Sequence, residues 1–344
     1  MADHHLECDG AAIAYEINGE GPLVGYAHGL FISRRMERWL RLVDWTPVRR
    51  GRRFLEYDAR GHGLTGGRPV SDDYVWSNLA RDLLAFVDTF SPGDPIDFIG
   101  ASMGTGTLLW SAVTAPHRFK RLVLTLPSTA WQTRPAQAAQ YRELAAVAET
   151  DGKDAVIARL TGNAPPPVLA ERFAELADSP EAPPSTLPDI SSELLPWVMR
   201  GAADSDYPNP EAVSALAQPV LILAEAGDLG HPESTARRLH ELLPTHTVRA
   251  SVVESGGRAR SQSWARTTPP APPAEHPAAE RTTASSTATA TAVRRRRPGT
   301  GQPMRFVARA SDSAVRVMPS TMRPSVRASR TTAKGTHSTR SASV

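Results

Sequence analysis

Over the first 257 residues, short apolar runs alternate with segments whose apolar positions recur at helical spacing. Runs at 12–17, 23–27, 54–57, 96–99, 122–126, 220–224 and 248–253 are too short for helices and rich in Val, Ile, Leu and Phe, so they predict strands. Between them, 75–90, 106–114 and 233–243 carry the i, i+3, i+4 pattern of amphipathic helices. Nearly continuous apolar strands separated by helices predict a mainly parallel sheet covered on both faces, an α/β fold.

The pattern changes between Ser128 and Gln218. Helical stretches at 135–149, 154–160 and 168–177 are joined by Pro-rich turns, and no strand stands out. An all-helical insertion between two core strands, residues 128–218, predicts a lid or cap. After Leu243 there is no Leu or Ile, and Thr, Ser, Ala, Pro and Arg dominate. Such a stretch cannot bury enough apolar surface to offset chain entropy, so a disordered basic tail is expected over 258–344. The domain expectation is therefore a core domain over 1–257 with 128–218 inserted, followed by that tail.

Charge sharpens the division. The whole chain has 39 Lys and Arg against 36 Asp and Glu. From Arg258 onward there are 16 basic and 3 acidic residues, leaving 23 and 33 in the body, so an acidic body (net −10) precedes a basic tail (net +13). Arg, Ala, Pro, Thr and Ser are also what a GC-rich gene yields out of frame, so the tail reads as frameshifted or degenerate. Cys8 is the only cysteine, which excludes an internal disulfide and fits a reducing compartment. The first residues have no basic stretch followed by an apolar one, and no apolar run is long enough to span a bilayer. A cytoplasmic protein without a membrane partner is expected.

The strongest local signal is Ile96-Asp97-Phe98-Ile99-Gly100-Ala101-Ser102-Met103-Gly104, a strand, then Gly-x-Ser-x-Gly, then a helix. A serine on so sharp a strand-to-helix turn needs small neighbours, and the helix N-terminus behind it favours developing negative charge. Three further segments accompany it: Tyr26-Ala27-His28-Gly29-Leu30, Tyr57-Asp58-Ala59-Arg60-Gly61-His62-Gly63, and Leu223-Ala224-Glu225-Ala226-Gly227-Asp228. In this order the four resemble the α/β-hydrolase superfamily, in particular serine-nucleophile esterases and lactonases with a helical cap. The resemblance extends through residues 1–257. It implies Ser102 as nucleophile, the backbone N–H groups of Leu30 and Met103 as oxyanion hole, and Asp228 as triad acid. Serine at this position argues against the dehalogenases and epoxide hydrolases of the fold, which use aspartate. His28 is expected to shape its turn, and Asp58 and Arg60 to lock their own loop by an ion pair.

The resemblance also implies a base. Relatives place a histidine after the last strand, where this chain has Glu254-Ser255-Gly256-Gly257-Arg258. The position expected for His is Arg258, whose guanidinium stays protonated and cannot serve as a general base. His231-Pro232 is read as the start of a helix, not as the base. His246 precedes the last strand, which spans roughly 23 Å and carries it to the wrong end of the sheet. The expectation is an incomplete triad and an impaired ester or lactone hydrolase. Its alternatives are a non-catalytic binder of a small-molecule ligand and, with less support, an acidic-surface or nucleic-acid binder working through the basic tail. Little aromatic interleaving and no nucleic-acid fold accompany that tail. Nothing in the sequence calls for a cofactor or a metal.

Overall fold

The alternating pattern becomes an eight-stranded sheet flanked by helices in the computed structural model, which describes residues 4–40, 43–162, 175–176, 187–244 and the strand 248–253. In chain order, β1 (His4–Cys8), β2 (Ala11–Asn18) and β3 (Leu23–Ala27) precede α1 (Arg34–Leu40) and α2 (Thr46–Arg49). Then come β4 (Arg53–Tyr57), α3 (Trp76–Phe90), β5 (Ile96–Ala101), α4 (Met103–Thr114) and β6 (Phe119–Thr125). Helices α5 (Arg134–Thr150), α6 (Gly152–Thr161), α7 (Leu195–Ala203) and α8 (Pro210–Ser214) separate β6 from β7 (Val220–Glu225). Helix α9 (Glu233–Leu242) leads to β8 (Val248–Val253).

The strand order is β1-β2-β4-β3-β5-β6-β7-β8. All pairs from β4 to β8 are parallel, whereas β1 and β2 run antiparallel at one edge. Strand β1 is an addition to the seven expected strands. It forms a hairpin with β2 through Asp9 and Gly10, both at positive φ (35° and 79°), the pairing of residues that matches a tight turn to strand twist. Among the described residues, the stretch between β6 and β7 carries the helices α5 to α8 and no strand of the sheet. The helix expected over 168–177 falls almost wholly outside the described residues, as do Arg258 and the expected disordered tail.

Two helices are packed tightly behind the centre of the sheet. Helix α3 buries Trp76, Leu79, Ala80, Leu83, Phe86 and Val87, a stripe of helical period. Helix α4 is buried along most of its length, and at Gly106 a Cβ would stand 2.2 Å from the Trp76 ring. That contact sets how closely the two helices approach. In the helical insertion, Arg134 is buried, and its cost is met by chain carbonyls at the C-terminal end of α7. It donates to Ser205 O at 2.7 Å and to Ala202 O, with the guanidinium 4.3 Å from the Trp76 ring centre.

The expected Asp58–Arg60 ion pair does not form. Asp58 pairs with Arg34 (3.1 Å), and Arg60 pairs with Asp82 of α3 (2.7 Å) while donating to the carbonyls of Cys8 and Asp9. Each loop residue therefore braces a different neighbour: Asp58 the start of α1, Arg60 the β1–β2 turn. Buried charges need such partners, because leaving one alone costs far more than a pair returns.

On the other face of the sheet, the Tyr26 hydroxyl donates to Glu37, which is buried. Burial pushes the Glu37 carboxyl up to about 7, against the opposing pulls of Tyr26 and Arg38. The folded chain thus keeps a proton that the unfolded chain loses near pH ~4.3. The neutral acid's stabilisation is complete below that value and declines as pH rises to about 7. Glu37→Gln should remove this dependence. Thermal unfolding should show the variant gaining on the parent between pH 5 and pH 8; parallel melting curves at both values would contradict it.

Candidate active site

The ends of four neighbouring strands build the site. Ala27 at the end of β3 lies opposite Gly100 of β5, Ala101 lies opposite Thr125 of β6, and Thr125 lies opposite Leu223 of β7. The loops leaving these ends carry Leu30, Ser102 and Asp228, so residues far apart in sequence meet at the C-terminal edge of the sheet. This is where α/β sheets characteristically bind ligands.

Ser102 sits at φ 53°, ψ −112°, a strained conformation for a residue with a Cβ. The turn is held by Ser102 N–H donating to Thr125 O (3.1 Å) and by the Thr105 hydroxyl donating to Gly100 O (3.0 Å). The flanking glycines are steric necessities. A Cβ at Gly100 would lie 2.4 Å from Gly104 O, and one at Gly104 would lie 2.2 Å from Ala27 O. Gly29 lies against the same turn, where a Cβ would stand 3.3 Å from Ser102 Cβ. Met103 follows Ser102 as the first residue of α4, and Leu30 follows Gly29, the residue that lies against the Ser102 turn.

Beyond β7 the chain turns at Gly227 (φ 81°) and presents Asp228. One Asp228 oxygen accepts from the backbone N–H groups of Gly230 (2.8 Å) and His231 (3.2 Å). The other lies 2.7 Å from His231 Nδ1. His231 Nε2 lies 2.7 Å from Ser102 Oγ. With the carboxylate accepting from Nδ1–H, Nε2 is left to accept the Ser102 hydroxyl proton. Burial opposes ionisation of Asp228, yet the hydrogen bond and charge of His231, with the two backbone N–H groups, hold its carboxyl below the ordinary range. The Asp228 side chain is 2% exposed and that of His231 18%, so the acid is desolvated while the imidazole reaches solvent. Thr129 N–H donates to Gly230 O (3.3 Å) and ties this loop to the segment after β6.

Read in the sequence as the start of a helix, His231 instead stands between Asp228 and Ser102. The place expected for an imidazole between Asp228 and Ser102 is filled by the histidine three residues after the acid. His231 precedes α9 and does not begin it; that helix starts at Glu233 after Pro232. The signal was present in the sequence as His231 within a short turn after the candidate acid, and the order Ser, Asp, His is kept. It was set aside because His231-Pro232 resembles a turn that starts a helix, and relatives place the histidine after the last strand.

The other nearby histidines are spent within the fold. His28 Nδ1 lies 2.7 Å from Gly29 O, and its Nε2 accepts from Ala59 N–H (2.9 Å). His62 is pushed down to about 3 by burial and by the neighbouring His28, and therefore stays neutral. Met199 is buried in the core and Trp197 packs against it. Tyr141 meets Phe31 edge-on at 6.3 Å.

A family profile described as alpha/beta hydrolase fold matches residues 26–257. The chain belongs to this family. Among solved structures, a hydrolase from Pseudomonas aeruginosa PA01 is similar at 25% identity and TM-score 0.56, covering 73% of this chain and 89% of that one. The enol-lactonase from Burkholderia xenovorans LB400 is similar at 21% identity and TM-score 0.56, covering 73% and 90%. An esterase from Exiguobacterium antarcticum is similar at 19% identity and TM-score 0.55, covering 74% and 91%. No curated protein matches the chain. Among the described residues no cluster of His, Cys, Asp and Glu could hold a metal ion, and no helix is long and apolar enough to cross a membrane.

The steric account of the turn is testable. Gly104→Ala should cost at least about 2–3 kcal/mol in denaturant unfolding, because the clash is with backbone that cannot step aside. Gly66→Ala, where a Cβ meets nothing within 4 Å, should stay within about 0.5 kcal/mol of the parent. Equal effects at the two positions would refute the argument.

Proposed function

We propose that this chain is a serine hydrolase that cleaves small carboxylic esters or lactones through an acyl-enzyme. The single observation that carries the reading is the unbroken line from Asp228 through His231 to Ser102, two contacts of 2.7 Å each. A serine hydroxyl is a weak nucleophile until a base accepts its proton, and the base needs an acid to fix its tautomer and stabilise the imidazolium. The esterase and lactonase among the similar structures support the substrate class.

In this mechanism Ser102 Oγ attacks the substrate carbonyl carbon as its proton passes to His231 Nε2. The carbonyl oxygen takes up negative charge and is met by the N–H groups of Leu30 and Met103, at the positive end of α4. The imidazolium, steadied by Asp228, then gives its proton to the departing alkoxide, which leaves as alcohol or stays tethered when a lactone opens. Water enters, loses a proton to His231 and attacks the acyl carbon, and the carboxylic acid departs as Ser102 regains its proton. No cofactor takes part. The helices α5 to α8 act as the cap and shape the pocket.

This reading replaces the impaired hydrolase expected from the sequence, since the base in question is supplied by the acid's own loop. Ser102→Ala and His231→Gln should each lower kcat/KM for short-chain 4-nitrophenyl esters by at least about a thousandfold. Both variants should keep the parent's melting temperature closely. A fluorophosphonate should label the parent at Ser102 and not the alanine variant. Ester turnover that survives Ser102→Ala would sink the proposal. A parent that binds esters or lactones without turnover would favour the non-catalytic binder.

A further inference from the structure

The turn that carries Leu30 does not stand by itself. Phe31, the next residue, has φ 70°, a left-handed conformation that a residue with a bulky side chain holds only when its surroundings impose it. Within the turn, Ile32 N–H donates to Leu30 O at 2.8 Å. Its other supports come from a residue more than 150 positions away. Asp189 N–H donates to Phe31 O at 2.7 Å, and the Asp189 carboxylate accepts from the Ser33 hydroxyl. The Asp189 carbonyl accepts from Gly63 N–H at 2.9 Å, which fastens the same residue to the loop after β4.

Asp189 lies in the segment that leads into α7, so it belongs to the helical insertion and not to the sheet. Its neighbour Ile190 is buried, and the Ile190 carbonyl accepts from Lys153 of α6 at 2.7 Å. A continuous set of contacts therefore runs from α6 through Ile190 and Asp189 to the Leu30–Ser33 turn. The Ser33 hydroxyl also accepts from Met36 N–H (3.3 Å) and so fixes the start of α1 on the far side of that turn.

We infer that Asp189 is a positioning residue for the hydrolysis: it clamps the strained turn at Phe31 and thereby sets where the Leu30 N–H points. The inference rests on the proposed serine-hydrolase reading. A donor that stabilises an oxyanion must sit within a few tenths of an ångström of its place, and the gain appears in the transition state, not in substrate binding. Loss of the clamp should therefore lower kcat and leave KM nearly alone.

The test compares the full chain with Asp189→Ala, Asp189→Asn and Ser33→Ala. Three quantities are read: kcat and KM for a short-chain 4-nitrophenyl ester, the rate of Ser102 phosphonylation by a fluorophosphonate, and amide hydrogen exchange over residues 28–33. Asp189→Ala should lower kcat and the phosphonylation rate by about ten- to a hundredfold, with KM within about twofold. Exchange over 28–33 should rise, and Asp189→Asn, whose amide oxygen can still accept from Ser33, should recover most of the rate. If the alanine variant does not fold, Ser33→Ala removes the same side-chain bond and carries the same expectation. Unchanged kcat, or a lowered kcat with unaltered exchange over 28–33, would overturn the clamp. Activity that persists in Ser102→Ala would instead overturn the hydrolase reading, leaving the exchange over 28–33 to decide whether Asp189 holds the turn.

Discussion

A serine forced to φ 53° at the end of a parallel strand is the constraint on which the rest of this structure depends. That conformation aims the hydroxyl away from the sheet and starts α4 immediately behind it. It can exist only where Gly100 and Gly104 let β5, α4 and the end of β3 approach to distances that a Cβ would forbid. The approach brings Gly29 against Ser102, which brings the Leu30 turn to the site, and the hydrogen bonds of His28 and Asp189 hold that turn. On the other flank, the register of β6 and β7 delivers the Asp228 loop to the same edge.

Much of this was legible in the sequence because each feature had a local physical cause. The strand at 96–99, the Gly-x-Ser-x-Gly turn and the helix that follows are specified by adjacent residues, and their structure matches the expectation. Strand β1 was legible in principle, since Asp9-Gly10 is a strong hairpin signal, but the exposed His4 and His5 lack the apolar run used to find strands. The pairings of Asp58 with Arg34 and of Arg60 with Asp82 were not legible: they are decided by how loops stack after folding, which sequence spacing does not encode. Asp189 is the extreme case, a residue without any motif whose partners lie in two distant loops.

His231 was misread for a different reason. Its motif was visible, but His231-Pro232 resembles a turn that starts a helix, and that resemblance assigned the imidazole a structural place. A bent turn lets one carboxylate bind the backbone N–H groups of the turn with one oxygen and the imidazole of the same turn with the other. Three residues then do what two separate loops usually do. The imidazole is oriented by a bond local in sequence, so its placement depends little on anything beyond Val253. Within the proposed mechanism, the whole proton path lies inside the part of the chain that matches the family.

The central claim is that an imidazole at position 231 is the base for Ser102, and chemical rescue measures this most directly. His231→Ala should lose the rapid release of 4-nitrophenol that accompanies acylation. Added imidazole should restore it in a saturable manner, while doing nothing for Ser102→Ala. Acylation of His231→Ala at the parent's rate without imidazole would contradict the account and place the base elsewhere.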